Sequence, residues 1–200
     1  MSQTAILLLA AGASRRMRGR DKLLEPMGDR PLLRERAETC LRAGAGLTVA
    51  VLPPDTPARQ SALDGLEIRI VVARDAGLGM AASIRAGIRA LPPQVEAALL
   101  VLADMPELTS ADLAAVLNAH DPTKPRICRG TAEDGRPGHP VLFPARLFPR
   151  LLELDGDEGA RSLIEAERGN TRAVPLPGRR ALTDLDTPED WARWRKHHTL

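Results

Sequence analysis

A three-layer α/β fold around a mostly parallel sheet is the fold class that this sequence predicts. Three observations carry the prediction. Apolar runs rich in Leu, Val and Ile recur at 4–10, 47–52, 68–73 and 96–102, each of a length that suits a buried parallel strand. Segments of helical pattern at 31–43, 57–64 and 80–91 separate them, which is the rhythm of βαβ units. No internal repeat or long linker interrupts the chain, so residues 1–200 read as one domain with a sizeable core.

The first strand is the run Ala5 to Leu9. Pro31 suits a first helical position, and Gly44 and Gly46 suit the end of that helix. In 80–91, Met80, Ile84, Ile88 and Leu91 share one face, with Arg85 and Arg89 nearby. After Pro106 the rhythm loosens. Residues 110–119 read as a helix with Ser110 near its N-cap, and Pro125–Cys128 and His139–Phe143 read as two short strands around a Gly/Pro-rich turn. Helices follow near 144–153 and 158–168, then a short strand near 171–175. The chain closes with a helix from Pro188 to about His197, where Trp191 and Trp194 predict one packed face.

Composition narrows the function. A formal charge of +2, 2% aromatic residues and no Tyr argue against a nucleic-acid surface or a base-stacking platform. Lysine occurs only at 22, 124 and 196. Cys40 and Cys128 lack metal-ligand spacing, and Cys40, beside Leu41, reads as a small buried hydrophobe. The apolar start is too short for a signal peptide and lacks a basic n-region, and no run reaches membrane length. A cytoplasmic protein without membrane partners is the expectation.

The most informative stretch is 9–24, LAAGASRRMRGRDKLL. It follows the first strand and packs Arg15, Arg16, Arg18, Arg20 and Lys22 into eight positions. A loop at the carboxyl end of a first strand is where open α/β sheets bind ligands. Gly12 permits close backbone approach, amides around Ser14 can donate, and the cations supply charge, which together suit a polyphosphate. A solvated basic turn is the alternative. The strand end and the Gly-x-Ser turn weigh against it, although the stretch is neither a P-loop nor a dinucleotide fingerprint.

Three further signals remain. Asp104 ends the fourth apolar run in LADMP, where a carboxylate would face the same crevice and hold a magnesium ion, or simply open a turn before proline. Asp184 and Asp186 fall on one side of an extended segment, suited to a metal site, while Asp186 or Thr187 equally suits capping the last helix. In Gly135-Arg-Pro-Gly-His-Pro140, His139 is the histidine held in a stiff loop, with a structural or a site role. Gly156-Asp-Glu-Gly-Ala-Arg161 reads as a helix N-terminus or a polar lid.

LAAGxSxRM…DKLL at 9–24, GMxxSIxxGI at 79–88 and DMP at 104–106 resemble the nucleotidyltransferases of molybdenum cofactor maturation. GRPGHPVLF at 135–143, GDEGAR at 156–161 and DLDTPEDW at 184–191 extend the resemblance to nearly the whole chain and to its cytidylyltransferase branch. The resemblance implies a nucleotide-diphospho-sugar-transferase-like fold and Mg2+-dependent transfer of CMP from CTP to the terminal phosphate of molybdopterin, with release of pyrophosphate. It implies a nucleotide site of Ala10, Ala11, Gly12, Ser14, Arg15, Lys22 and Ser83, with Arg15, Lys22 and Asp104 catalytic. It also implies metal ligation by Asp104 and Asp186, with His139 on the pterin side, and an apo-molybdoenzyme as client. Where the family reads Arg-Met-Gly, this chain has Arg16-Met17-Arg18-Gly19, which leaves Arg18 and Arg20 without a matched role. Phosphate displacement asks for in-line positioning and charge neutralisation, which suits a site of cations and carboxylates without a Ser-His-Asp or Cys-His pair. Three rivals stand beside this reading: transfer to another phosphorylated acceptor, such as a sugar phosphate or phospholactate; a cofactor-carrying maturation factor that does not turn over; and a plain nucleotide-binding module, which would leave the two acidic segments without a purpose.

Overall fold

The computed structural model describes residues 4–198. Strand β1 (Thr4–Leu9) occupies the centre of the main sheet, because its five residues after Thr4 are fully apolar and can be buried on both faces. A short hairpin of β2 (Pro26–Met27) and β3 (Arg30–Pro31) follows the basic loop, and α1 (Leu32–Arg42) leads to β4 (Leu47–Leu52). Then come α2 (Pro57–Ala62), β5 (Arg69–Val72), α3 (Met80–Arg89), β6 (Ala97–Leu102) and α4 (Ser110–Asn118). The last part holds β7 (Ile127–Thr131), β8 (Pro137–Pro144), α5 (Phe148–Leu152), α6 (Arg161–Ala166), β9 (Thr171–Pro175) and α7 (Pro188–His197).

The seven strands run in the order β5-β4-β1-β6-β8-β7-β9. Pairings β4–β5, β1–β4, β1–β6 and β7–β9 are parallel, whereas β8 is antiparallel to both β6 and β7. The mostly parallel sheet expected from the βαβ rhythm is therefore present. Its antiparallel member arises where the short 132–136 connection joins β7 to β8, too short for a crossover. The chain moves outward from β1 to β4 and β5, then returns to place β6 on the other side of β1. That reversal opens a crevice at the carboxyl ends of β1 and β6.

Two cores sandwich the sheet. Ile6, Leu8, Leu99 and Leu142 pack with Leu33, Leu113 and Trp191 on the face of α1, α4 and α7. Leu7, Leu100, Val141 and Phe143 pack with Ile84, Leu151 and Leu163 on the face of α3, α5 and α6. Trp191 and Trp194 are both buried on α7 with ring centroids 6.2 Å apart, edge to face, as their spacing predicts. Cys40 is buried on α1, and burial pushes its thiol up to about 12, which suits a packing role. No helix among the described residues is long and apolar enough to cross a membrane.

Several boundaries differ from the sequence reading. Thr109, rather than Ser110, caps α4 through a reciprocal capping box with Asp112. The strand read at Pro125–Cys128 is Ile127–Thr131. The helix read at 144–153 begins as a 3-10 turn at Ala145–Leu147. Residues 156–160 are a loop and not the start of a helix, since Gly156 and Gly159 both take positive φ. The hairpin at 26–31 has no counterpart in the sequence reading.

Gly138 marks a tight passage at the start of β8. A Cβ there would lie 1.9 Å from the Ala181 carbonyl oxygen, and the His139 amide donates to that same oxygen at 2.8 Å. Gly138→Ala must therefore push the 181–186 segment off the sheet. A loss of about 1–3 kcal/mol or more in denaturant unfolding is expected. An unchanged midpoint would contradict this close approach.

Candidate active site

The crevice at the β1 and β6 ends widens into a cleft of about 1080 Å3. Its floor is the basic loop. The amides of Ala11, Gly12, Ala13 and Ser14 donate to no protein acceptor among the described residues. A Cβ at Gly12 would meet no other atom of the protein, so glycine here leaves open cleft beside the backbone. Such a row of free donors suits an anion.

The loop is braced from below by Arg59, whose guanidinium is almost fully buried. It donates to the Ala10 carbonyl at 2.6 Å, to the Gly12 carbonyl at 2.8 Å and to both Asp21 oxygens at 2.6 and 2.9 Å. Asp21 in turn accepts from the Ser14 hydroxyl at 3.2 Å and from the Leu23 amide at 3.0 Å. The Lys22 amide donates to the Ser14 hydroxyl oxygen at 3.2 Å. Ser14 thus fixes the loop's shape with its side chain. Ala10 lies beneath it, in the core and off the cleft wall.

At the mouth of the crevice Lys22 Nζ donates to Asp104 Oδ2 at 2.5 Å and to Asp186 Oδ1 at 2.7 Å. Burial opposes the Lys22 charge, but Asp104 and Asp186 outweigh it and raise its pKa. Burial likewise opposes the Asp186 charge, and Lys22 and Arg16 overcome it to hold its pKa below the usual carboxylate value. Arg16 completes this by reaching Asp186 Oδ2 at 2.6 Å. Partial desolvation, then the Asp186 and Asp104 charges, raise the pKa of Asp184.

The sequence alternatives at Asp186 resolve here. Thr187 caps α7 in a capping box with Asp190, and Pro188 occupies the first turn, which leaves the Asp186 carboxylate free for the crevice. Asp184 and Asp186 both line the cleft, as their alternation predicts, while Leu185 between them is buried. The Leu185 amide donates to the Asp104 carbonyl at 3.0 Å and ties the two acidic segments together. Buried Arg36 donates to the carbonyls of Met105 and Leu108 and fixes the turn after Asp104.

Among the described residues no three carboxylate, imidazole or thiolate groups form a ready metal cage. Asp104 and Asp186 nevertheless converge on one cationic point, and Asp104 Oδ1 is buried without a partner. Two carboxylates with a spare buried oxygen beside an anion cradle fit Mg2+, which takes one or two protein carboxylates plus phosphate oxygens.

Of the loop's arginines, Arg15 lines the cleft without a carboxylate partner among the described residues. Arg18 takes a left-handed conformation at φ 54° and pairs with exposed Glu189, and Arg20 pairs with Glu25. The displaced glycine is thus absorbed by Arg18 accepting the conformation. Across the cleft, Ser83 is buried on the first turn of α3, with its hydroxyl bonded to no protein group. Gly79, at φ +102°, lets the 156–157 turn close over that helix start, since a Cβ there would lie 2.3 Å from Asp157 Oδ1. The Ala81 amide donates to the Gly156 carbonyl at 3.2 Å. The 79–88 and 156–161 motifs are therefore one wall.

His139 lies outside the cleft wall, close enough to Asp104 and Arg129 for both charges to act on it. Its Nδ1 is buried and unpartnered. Sequence reasoning missed Arg59, Arg36 and Arg74. Arg74 lines the far wall of the cleft without a protein partner among the described residues. All three are isolated arginines in ordinary helix or loop contexts, with no local signal.

Residues 6–172 match the family described as the MobA-like NTP transferase domain. The chain is 30% identical to nicotine blue oxidoreductase of Paenarthrobacter nicotinovorans over 94% of each chain. It is 28% identical to purine catabolism protein PucB of Bacillus subtilis over 95% of each. The crystal structure of Rv0371c from Mycobacterium tuberculosis H37Rv superposes with a TM-score of 0.85 at 28% identity, covering 98% of both chains. Its complex with manganese gives 0.81 at 26% identity, covering 98% of this chain and all of that one.

Burial first, and then Arg129, push the His139 pKa down to about 4, with Asp104 opposing. The folded imidazole stays neutral where the unfolded one, at 6.5, takes up a proton. Stability is therefore expected to fall as pH drops from about 6.5 towards 4, and His139→Asn should flatten that part of the curve. Denaturant midpoints across this range check it. Parallel curves for the two proteins would mean that the imidazole titrates alike folded and unfolded.

Proposed function

Since the chain belongs to the MobA-like NTP transferase family and is a nucleotidyltransferase, we propose that it transfers CMP from CTP to the terminal phosphate of molybdopterin. The observation that carries this reading is the meeting of Lys22, Asp104 and Asp186 beside a loop of free amides. In this reading the amides of Ala11 to Ser14, with Arg15 and Lys22, hold the triphosphate, and Ser83 faces the base. Asp104 and Asp186 would hold Mg2+, which when bound would neutralise charge on the phosphate oxygens.

An oxygen of the acceptor's phosphate attacks the α-phosphorus of CTP. The new P–O bond forms as the bond from the α-phosphorus to the bridging oxygen breaks, and pyrophosphate leaves with the electron pair. Lys22 then faces growing negative charge on the leaving group, so its ammonium does more in the transition state than in the ground state. The loop, pinned by Arg59, reorganises little as that charge moves.

Ala11 lies on the cleft wall with Ser83. Its methyl narrows the base pocket, whereas glycine would admit a larger purine more closely. Incubation with each nucleotide, Mg2+ and molybdopterin, followed by product mass analysis, should give the cytosine dinucleotide and pyrophosphate. The kcat/KM for CTP should exceed that for GTP by at least about tenfold, and Ala11→Gly should narrow the gap. Equal use of both nucleotides would overturn the choice of cytosine.

Asp104→Ala should lower turnover by at least about a hundredfold with the fold retained, because it removes a charged group from the reacting centre. Lys22→Ala should lower kcat more than it raises the KM for CTP. Stopped-assay kinetics beside circular dichroism check both. Near-normal turnover in Asp104→Ala at saturating Mg2+ would rule out its role.

A further inference from the structure

Most cations on the cleft wall are matched to carboxylates among the described residues. Arg16 and Lys22 meet Asp186, Arg20 meets Glu25 and Arg59 meets Asp21. Arg15 and Arg74 line the same wall without such a partner. Arg15 belongs to the loop of free amides. Arg74 follows β5, where the Ala73 amide donates to the Leu52 carbonyl at 2.8 Å and extends the β4–β5 pairing. Asp104 and Arg74 each stand two residues beyond a strand, β6 and β5, with β1 and β4 between them. Three strand spacings set their backbones roughly 14 Å apart. Arg74 therefore stands at the end of the cleft away from the carboxylates that meet Lys22.

That end is otherwise uncharged. Pro53, Pro54, Thr56, Ala76 and Gly77 line the cleft beside Arg74, and Asp55 and Asp75 lie outside the wall of this cleft. The Ala76 amide donates to the Ala73 carbonyl at 3.1 Å and the Gly79 amide to the Ala76 carbonyl at 3.2 Å, so 73–79 is a run of turns leading into α3. Helix α3 packs against β4, β5 and the Ala76–Leu78 turn, which brings Ser83 on its first turn to the same end. Ala11, Ala73 and Ile84 share the core on this face of the sheet. The Arg74 stem thus rises from a fixed, buried neighbour, while its guanidinium is exposed and bonded to no protein group.

A guanidinium offers parallel N–H donors and no acceptor. With the phosphates at the loop, the part of a nucleotide that reaches this end is the base. Cytosine presents two adjacent acceptors, O2 and N3, which match that fork. Uracil carries a proton on N3, and guanine presents donors at N1 and N2 on the corresponding edge, so both set a donor against a donor. We propose that Arg74 reads the base, donating to O2 and N3 of cytosine and selecting CTP over UTP. The inference rests on the CTP reading above and adds the side chain that makes the choice between pyrimidines, which the Ala11 methyl cannot do by size.

The test is equilibrium binding of CTP, UTP and pyrophosphate, each with Mg2+, to the wild type, Arg74→Met and Arg74→Lys, with circular dichroism on each. Methionine keeps an unbranched stem without donors, and lysine keeps the charge without the fork. Wild-type Kd for CTP should lie at least about tenfold below that for UTP, and Arg74→Met should shrink that gap to within about threefold. Pyrophosphate affinity should stay within about twofold in both variants, because phosphate binds at the loop. Arg74→Lys should also lose most of the preference; full retention there would show that charge suffices and overturn the paired contact. Equal weakening of CTP, UTP and pyrophosphate in Arg74→Met would make Arg74 a phosphate ligand and overturn the proposal. An unchanged CTP-to-UTP ratio in that variant, or no preference in the wild type, would overturn it as well. If the preference behaves as expected and yet no dinucleotide forms with molybdopterin, the transfer reading fails and the base contact stands. If the dinucleotide forms and the variants keep the wild-type preference, the base contact fails and transfer stands.

Discussion

Lys22 gathers Asp104 and Asp186 from 82 and 164 residues away onto one ammonium, and the rest of the crevice is arranged around that charge balance. The three side chains are between 12% and 17% exposed, so each is largely withdrawn from water. Each carboxylate shares the one ammonium, and Asp186 keeps Arg16 besides, so loss of one member unbalances the cluster without leaving every charge unpaired. The cluster also explains the topology. The first loop after β1, the end of β6 and the segment before α7 must all reach the same point, and the outward-and-back strand order provides it.

Keeping that cluster open to a ligand requires support from outside it. Arg59 binds the carbonyls of Ala10 and Gly12, so their amide partners on the other side of the loop remain free to donate. Arg36, on neighbouring α1 on the same face of the sheet, braces the turn after Asp104. Both guanidinium groups are buried, always charged and able to serve several acceptors at once, which lysine could not do as well. A site braced in this way has its dipoles set before charge moves, which is where electrostatic catalysis gains most.

Much of this was legible in the residues alone, for physical reasons. Buried parallel strands demand continuous apolar runs, so β1, β4 and β6 announce themselves, and the loop after β1 concentrates the basic charge. Asp186 was ambiguous because capping and ligand binding ask for the same residue type before a helix; only the Thr187–Asp190 capping box decides between them. The 156–160 turn was ambiguous for a similar reason, since Gly and acidic residues suit a helix start as well as a loop. Its contact with Gly79 is a tertiary fact with no local trace. Arg59 and Arg36 were invisible because a buried arginine looks like a surface one until its partners, 49 and 69 residues away, are known.

The central claim is that Asp104 and Asp186 belong to a divalent-metal site completed by nucleotide phosphates. Electron paramagnetic resonance of Mn2+, a spectroscopic substitute for Mg2+, reads this directly through the loss of the free-ion signal on titration with protein and CTP. The account predicts that one Mn2+ is taken up per chain when CTP is present, and that uptake collapses in Asp104→Asn and in Asp186→Asn while both variants stay folded. Uptake by those variants equal to that of the wild type would contradict it.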